Sequence, residues 1–443
     1  MLKRLVALSF LLFAVVFAVS RVSPVQSHFS NFSGAVINNN FPDAHDLPPT
    51  GWTGPVFKLS QDYPNTMPAA DVRPWEKFDP RTQSLEYLKS VLAYGYEGNV
   101  EVDFVVQNNP VRKWYHAPWL HYGDNGREFI HGMTRERHSR AKDLAPTQVT
   151  PWQNFAVGFY NAPGGYVMGQ VWEDKNAPNP GPALFPNGTV AMKLLFTQAP
   201  PSEVPFIDGS YEWLTDINRV TETGKKPVTM RLLQIDIAVR DNRIKPTGWV
   251  FGTYIYNADA PGKDPLDRMV PIGLMVGNDP QAIAANGPLV ESIINPAAKT
   301  PHLGYKGRLN GPVDNPVSSC MSCHSTAQVP YPYSLNLPTI SGIPPQPPNQ
   351  TQADLERWFR NIPAGTPFDE RYTSLDYSLQ LQVGIANFLK ASPPPQTSDS
   401  SAPQAARALK GVKAANIKPM DRDGTPESTG PAKKKNTKKK RGK

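Results

Sequence analysis

Between Thr189 and Met275 the chain repeats one pattern: short apolar or alternating segments set off by turn residues. Asn187-Gly188 opens a segment from Thr189 to Phe196. Arg231 to Arg240 alternates polar and apolar residues, and Thr247 to Tyr256 follows it. Arg268 to Pro280 is apolar and punctuated by glycine, like a buried strand running into a turn. Strands this short bury an apolar face only by pairing, and the turn signals between them point to one antiparallel sheet or open barrel. Upstream, Trp152 to Tyr160, a turn at Asn161 to Gly165 and Tyr166 to Trp172 predict a hairpin, and Glu101 to Val106 alternates as a strand would. Helical spacing appears in Ser84 to Tyr94, weakly in Gln281 to Ile294, and again in Ala353 to Asn361 and Leu375 to Ala391. The last of these places Leu375, Leu379, Val383, Ala386 and Leu389 near one stripe. The fold class expected is α+β: an antiparallel β-rich body with packed helices and a helical C-terminal segment.

Five regions follow from composition. Lys3 and Arg4 precede an apolar run from Leu5 to Val19, and Ala18-Val19-Ser20 supplies a small-x-small end, so 1–20 reads as a secretory signal peptide. An uncleaved N-terminal membrane anchor is the other reading, although the run is short of the roughly 20 apolar residues a span needs. Either one exports the body, to the periplasm or outside the cell. Residues 21–75 are rich in Pro, Asn and Asp and read as an extended lead-in; 76–280 form the β-rich domain, 281–392 a segment with C-terminal helices, and 393–443 a disordered tail. The last eleven residues carry eight positive charges; without them 38 of the 46 basic residues remain, equal to the 38 acidic ones. The excess charge therefore belongs to the tail, which argues against nucleic-acid binding by the body. The tail suits contact with an anionic membrane or polymer, or simply solubilises the chain.

The only two cysteines lie in Ser319-Cys320-Met321-Ser322-Cys323-His324. A disulfide across so short a loop would constrain little of the unfolded chain. A zinc site needs about four N or S ligands, and no further cysteine is present. A redox dithiol would follow a strand and open a helix in a βαβ unit, but here prolines flank the motif. Cys-x-x-Cys-His instead supplies two thiols for adjacent vinyl groups and an imidazole for the iron, the pattern of one covalent haem c. Cys320 and Cys323 are the expected attachment points and His324 the proximal ligand. Beyond His324 there is no other histidine, and the only methionine is Met420, in the tail. Upstream donors exist, Met269, Met275 and His302 among them, but the simpler expectation is a five-coordinate iron with an open distal face.

Three blocks resemble the cytochrome P-460 and cytochrome c′-beta group in the same order: Pro186 to Phe196; Leu232 to Asp241 with Thr247 to Gly252; then the Cys-x-x-Cys-His motif. The resemblance covers about 130 residues, with a longer gap before the motif and about 120 further residues after it. It implies a β-rich exported protein with five-coordinate haem c that oxidises hydroxylamine or binds nitric oxide and carbon monoxide. It also implies a covalent link between haem and the lysine on the matching strand, here Lys193. Lys193 shares a strand face with Ala191 and Leu195; if that face is buried, desolvation favours the neutral, nucleophilic amine. An edge lysine with its head in water is the alternative.

His116, His121, His131, Arg127 and Arg135 fall in an aromatic, basic stretch and form a candidate distal pocket, with imidazole as proton donor and arginine as anion holder. Core aromatics with exposed basic residues are the other reading of that stretch. Three functions fit: an oxidoreductase or binder of a small nitrogen-oxide or hydroxylamine-type ligand; an electron-transfer cytochrome with Met or His as sixth ligand, serving a redox partner protein; and a non-catalytic haem-bearing binding protein. No residue presents itself as catalytic from sequence.

Overall fold

A computed structural model describes residues 41–44, 48–120, 127–216, 227–285, 287–299, 302–329 and 350–391. The N-terminal apolar run read as a signal peptide, His121 and the basic tail lie outside them. Residues 48–73 run without helix or strand, yet Phe57, Leu59 and Tyr63 are buried, so this part of the lead-in is packed rather than trailing. The first helix, α1, is Ser84–Tyr96, as its periodicity predicts.

The alternating segments form one antiparallel sheet. In chain order its strands are β1 (Trp114–His116), β2 (Thr134–Arg135), β3 (Asn154–Asn161), β4 (Val190–Thr197), β5 (Glu212–Thr215), β6 (Val228–Arg240), β7 (Trp249–Tyr256), β8 (Met269–Met275) and β9 (Ser292–Ile294). The main path is β1-β3-β4-β6-β7-β8-β9, with β2 added on β3 and β5 on β6. Side chains alternate between faces. One face of β4, β6 and β7 carries Met192, Ile237, Val250 and Tyr254 into a core shared with α1; the Tyr254 hydroxyl donates to Leu88 O at 2.6 Å. The other face carries Ala191, Lys193, Asp236, Ala238, Phe251 and Thr253, and the later part of the chain folds over it.

Three expectations are corrected. Residues 162–171 form a helix, α2 (Ala162–Val171), not the second arm of a hairpin. A short apolar run satisfies both periods, and Pro163 in the first turn together with the buried set Val167, Met168 and Val171 decides for helix. Gly165, which reads as a turn residue, instead permits close packing: a Cβ there would stand 2.2 Å from Tyr115 Cδ2. Residues 101–106 form no strand, because Asp103 and Phe104 are left-handed at φ 51° and 55°. The weak helix over 281–294 reduces to α3 (Pro280–Ala285), and Ser292–Ile294 joins the sheet as β9.

Beyond the sheet come α4 (Cys320–His324), the small ladder of β10 (Gln328–Val329) with β11 (Thr373–Ser374), α5 (Gln352–Trp358) and α6 (Leu379–Ala391). α6 starts four residues later than its periodicity suggests, since Asp376 and Tyr377 are left-handed at φ 46° and 69°. The buried stripe is accordingly Leu381, Ile385 and Phe388 rather than the set that begins at Leu375. The Phe388 ring meets Trp119 and Trp172 edge-on at 5.1 and 5.7 Å. The described residues between 281 and 391 thus share one apolar core with the sheet. Among the described residues no helix is long and apolar enough to cross a membrane.

Candidate functional site

The Cys-x-x-Cys-His segment forms a single helical turn. Ser319 and Ser322 cap it reciprocally: Ser322 N donates to Ser319 Oγ at 3.1 Å and Ser319 N to Ser322 Oγ at 2.9 Å. Ser319 Oγ also donates to Asn278 Oδ1 at 3.0 Å, and Met321 is fully buried with its N–H on Met275 Sδ at 3.4 Å. Those anchors turn Ser319, Met321 and Ser322 inward. Positions i, i+3 and i+4 share a helix face, so Cys320, Cys323 and His324 stand together on the other side. All three line one cavity against the sheet, and the thiols are not joined in a disulfide.

The cavity encloses about 200 Å³, and about 1660 Å³ lies between its walls when the open mouth is included. The enclosed part is smaller than the roughly 300–1,000 Å³ of common ligand clefts, so a large flat group would occupy the mouth as well. Its floor is the sheet face on which Gly158, Lys193, Asp236 and Thr253 lie in one cross-strand row, flanked by Ala191 and Ala238. The small residues keep that floor low. A Cβ at Gly158 would stand 2.0 Å from Gln380 Nε2, at the start of α6.

His324 Nδ1 lies 2.9 Å from Tyr377 O. A carbonyl only accepts, so Nδ1 carries the proton and Nε2 the lone pair, the tautomer a metal-binding imidazole needs. Phe251 packs against the ring at 4.8 Å between centroids. The carbonyl is fixed by its neighbour: the buried Asp376 accepts from Phe185 N at 2.8 Å, Gly365 N at 3.0 Å and Trp249 Nε1 at 3.1 Å.

Carboxyls surround the floor. Gln234 Nε2 donates to Asp236 Oδ1 and Oδ2 at 2.9 and 2.8 Å and to Asp314 Oδ2 at 3.0 Å, bridging the two acids. Thr253 Oγ1 donates to Asp236 Oδ1 at 2.8 Å and lies 3.7 Å from Cys320 Sγ. Lys193 Nζ is 3.1 Å from Glu136 Oε1. Both aspartates face the cavity and are walled by protein otherwise. Burial, then the neighbouring Asp314, pushes the Asp236 carboxyl up to about 7 against the opposing pull of Lys193. Asp314 is raised as well, chiefly by burial. Burial, followed by Asp314 and Asp236, pushes the Cys320 thiol well above its ordinary range, so it stays protonated. Glu128, buried elsewhere in this wall's loop, is pushed up by burial to about 7 although three backbone N–H groups donate to it.

A pH dependence follows. Acids raised in the folded state hold a proton that the unfolded chain has released above its pKa of about 4. Folding then takes up protons between about pH 4 and pH 7, so stability falls across that window as pH rises, by up to about 1.4 kcal/mol per pH unit for each such group. Denaturant midpoints at pH 5 and pH 7.5 check this, and Asp314→Asn should flatten the slope by removing the charge beside Asp236. A profile that rises through the window would contradict the assignment.

The sequence-derived residues divide unequally. Cys320, Cys323, His324, Lys193 and Arg127 all line the cavity. His116 does not: it is buried against Phe57, its Nδ1 accepts from Ser60 N at 3.0 Å, and burial holds its pKa low. His131 stacks on Trp213 at 4.3 Å, away from the lining, with its pKa lowered by burial to about 4. Arg135 is bonded to Gln153 Oε1 at 2.6 Å and lies over Phe155, also outside the lining. His121 is outside the described residues. Of the described pocket candidates only Arg127 therefore lines the cavity, which Arg137 lines as well. Asp236, Asp314, Glu136 and Gln380 were not anticipated. The signal available was the alternation Ala191, Lys193 and Asp236, Ala238, which sets small or charged residues opposite a purely apolar face.

Several wall atoms await partners. Arg127 Nε and Nη1, Gln380 Oε1 and Gln382 Nε2 are buried without a hydrogen bond. Such groups are costly unless an occupant satisfies them. The wall thus fits a group that brings its own polar edge, and its donor set of two thiols and one oriented imidazole fits haem c. Among the described residues no three His, Cys, Asp or Glu side chains converge as metal ligands without such a group. Comparison with protein families, curated proteins and solved structures gave no match.

Proposed function

We propose that the chain is an exported mono-haem c protein with an open distal face that binds or oxidises a small ligand of the nitrogen-oxide or hydroxylamine type. One observation carries this reading: Cys320, Cys323 and His324 face a shared cavity, and Tyr377 O leaves His324 Nε2 as the metal-binding nitrogen. Haem, when bound, supplies redox iron with a site for a small ligand. The residues do the rest. Cys320 and Cys323 hold the group, His324 orients it, and Gly158, Ala191 and Ala238 leave it room. Asp236 can hold and release a proton at the floor near neutral pH, with the raised Asp314 carboxyl beside it, while Lys193 and Glu136 keep the charge there balanced.

The electron-transfer alternative needs a sixth ligand, and the lining is poor in candidates. Among the described residues His324 is the only histidine in it, and Met192 is the only methionine. The Met192 sulfur points at α1, since a Cβ on Gly95 would lie 2.6 Å from it. Met275 Sδ is occupied by Met321 N, and His302 bonds Leu144 O at 3.0 Å. The test is the full chain matured with covalent haem-attachment machinery and recorded in ferric and ferrous forms with and without carbon monoxide. A high-spin spectrum that shifts on carbon monoxide is expected. A low-spin spectrum indifferent to it would overturn the open site.

A further inference from the structure

Arg127 is a charged side chain in the cavity wall whose chemistry the proposed function leaves unused. Its residue is 2% exposed. Nη2 donates to Ala117 O at 2.7 Å, and the guanidinium lies 5.4 Å from the centroid of the Phe57 ring. Nε and Nη1 have no partner. Nor does a carboxylate meet it among the described residues: Asp43, whose charge it feels, is spent on Leu59 N at 2.7 Å and Lys58 Nζ at 3.4 Å. Burial pulls even this guanidinium down to about 10. A buried cation without a counter-charge is strongly unfavourable, and folds tolerate one where a ligand supplies the missing anion. Nη2 spends one of its two hydrogens on Ala117 O, so one parallel pair of N–H groups, Nε with Nη2 or Nη1 with Nη2, is left to match two oxygens of one anion.

We propose that Arg127 anchors an anion subsite in the cavity wall, taking a planar two-oxygen anion of the carboxylate or nitrite class. Two sources offer that chemistry: a carboxylate on the haem itself, or a free small anion. The first source rests on the proposed function; the subsite itself rests on the guanidinium's surroundings.

Thermal midpoints of the full chain separate these. The chain is prepared haem-loaded and, as Cys320→Ser with Cys323→Ser, empty, each with Arg127, Arg127→Leu or Arg127→Lys. If the haem supplies the anion, Arg127→Leu raises the midpoint of the empty chain and lowers that of the loaded one. If a free anion does, sodium acetate or sodium nitrite raises the empty midpoint by at least about 2 °C over sodium chloride at equal ionic strength, and Arg127→Leu abolishes the rise. Arg127→Lys keeps the charge and loses the fork, so it gives a smaller change of the same sign and serves where the leucine variant does not fold. A midpoint change identical in loaded and empty chains, with no anion-dependent rise, overturns the subsite. If the unmutated chain takes up no haem, the proposed function fails while the anion titration still decides the subsite.

Discussion

A chain carrying Cys320→Ser and Cys323→Ser, matured beside the unmutated protein, should retain no haem on the polypeptide after denaturing separation, against one per chain in the parent. The loss should be complete, because a serine hydroxyl at either position forms no thioether. The substitutions are also mild enough to leave the fold standing. Among the described residues Cys320 Sγ makes distant polar contacts alone, to Thr253 Oγ1 at 3.7 Å and Asn310 Oδ1 at 4.0 Å. The turn is held by Ser319, Met321 and Ser322, whose bonds the changes do not touch. An unchanged far-ultraviolet circular dichroism spectrum would confirm that attachment, not folding, was lost. Each single substitution should retain haem through the remaining thiol, in lower yield. Covalently retained haem in the double variant would sink the proposed attachment, and with it the proposed function.

The strands were legible because alternation against a large core is a strong signal: β4, β6, β7 and β8 lie where the patterning places them. So was the motif turn, whose three chemical residues need only helical spacing to share a face. The failures share a cause. At 101–106 and 375–378 the sequence carries a periodicity, and left-handed residues at Asp103, Phe104, Asp376 and Tyr377 break it for tertiary reasons that no short window contains. At 162–171 both periods fit and packing against Tyr115 chose. An aromatic, basic stretch does not say which of its side chains point to a cavity. His116 and His131 stack in the core, and Arg127 alone lines the cavity among the described distal candidates. The floor acids Asp236 and Asp314 are 78 positions apart and meet only through Gln234, a long-range relation that sequence pattern does not carry.

Asp376→Ala should cost about 3–5 kcal/mol of stability, a third or more of what a typical domain has to lose. The carboxylate is 1% exposed and ties three separate segments together. Its Oδ2 satisfies Phe185 N, and its Oδ1 satisfies Trp249 Nε1 on β7 and Gly365 N before β11. Alanine would leave the first two donors buried without acceptors, at about 1–3 kcal/mol each. It would also place a residue at φ 46° that lacks aspartate's local hydrogen bonding in the left-handed region. Burial raises this carboxyl while its three N–H donors pull it back, so what alanine removes above all is a set of acceptors. Asp376→Asn should therefore be milder, since one oxygen survives while the amide nitrogen faces a donor. The consequence reaches the site through one residue. Tyr377 O, next in the chain, is what holds the His324 ring and sets its tautomer. In the haem-loaded protein Asp376→Ala should broaden the high-spin spectrum by freeing the imidazole, and Asp376→Asn should broaden it less. Denaturant midpoints and spectra of the two variants check both halves; a midpoint for Asp376→Ala equal to that of the parent would show that other contacts hold the turn, and an unchanged spectrum in a destabilised variant would show that His324 is oriented without it.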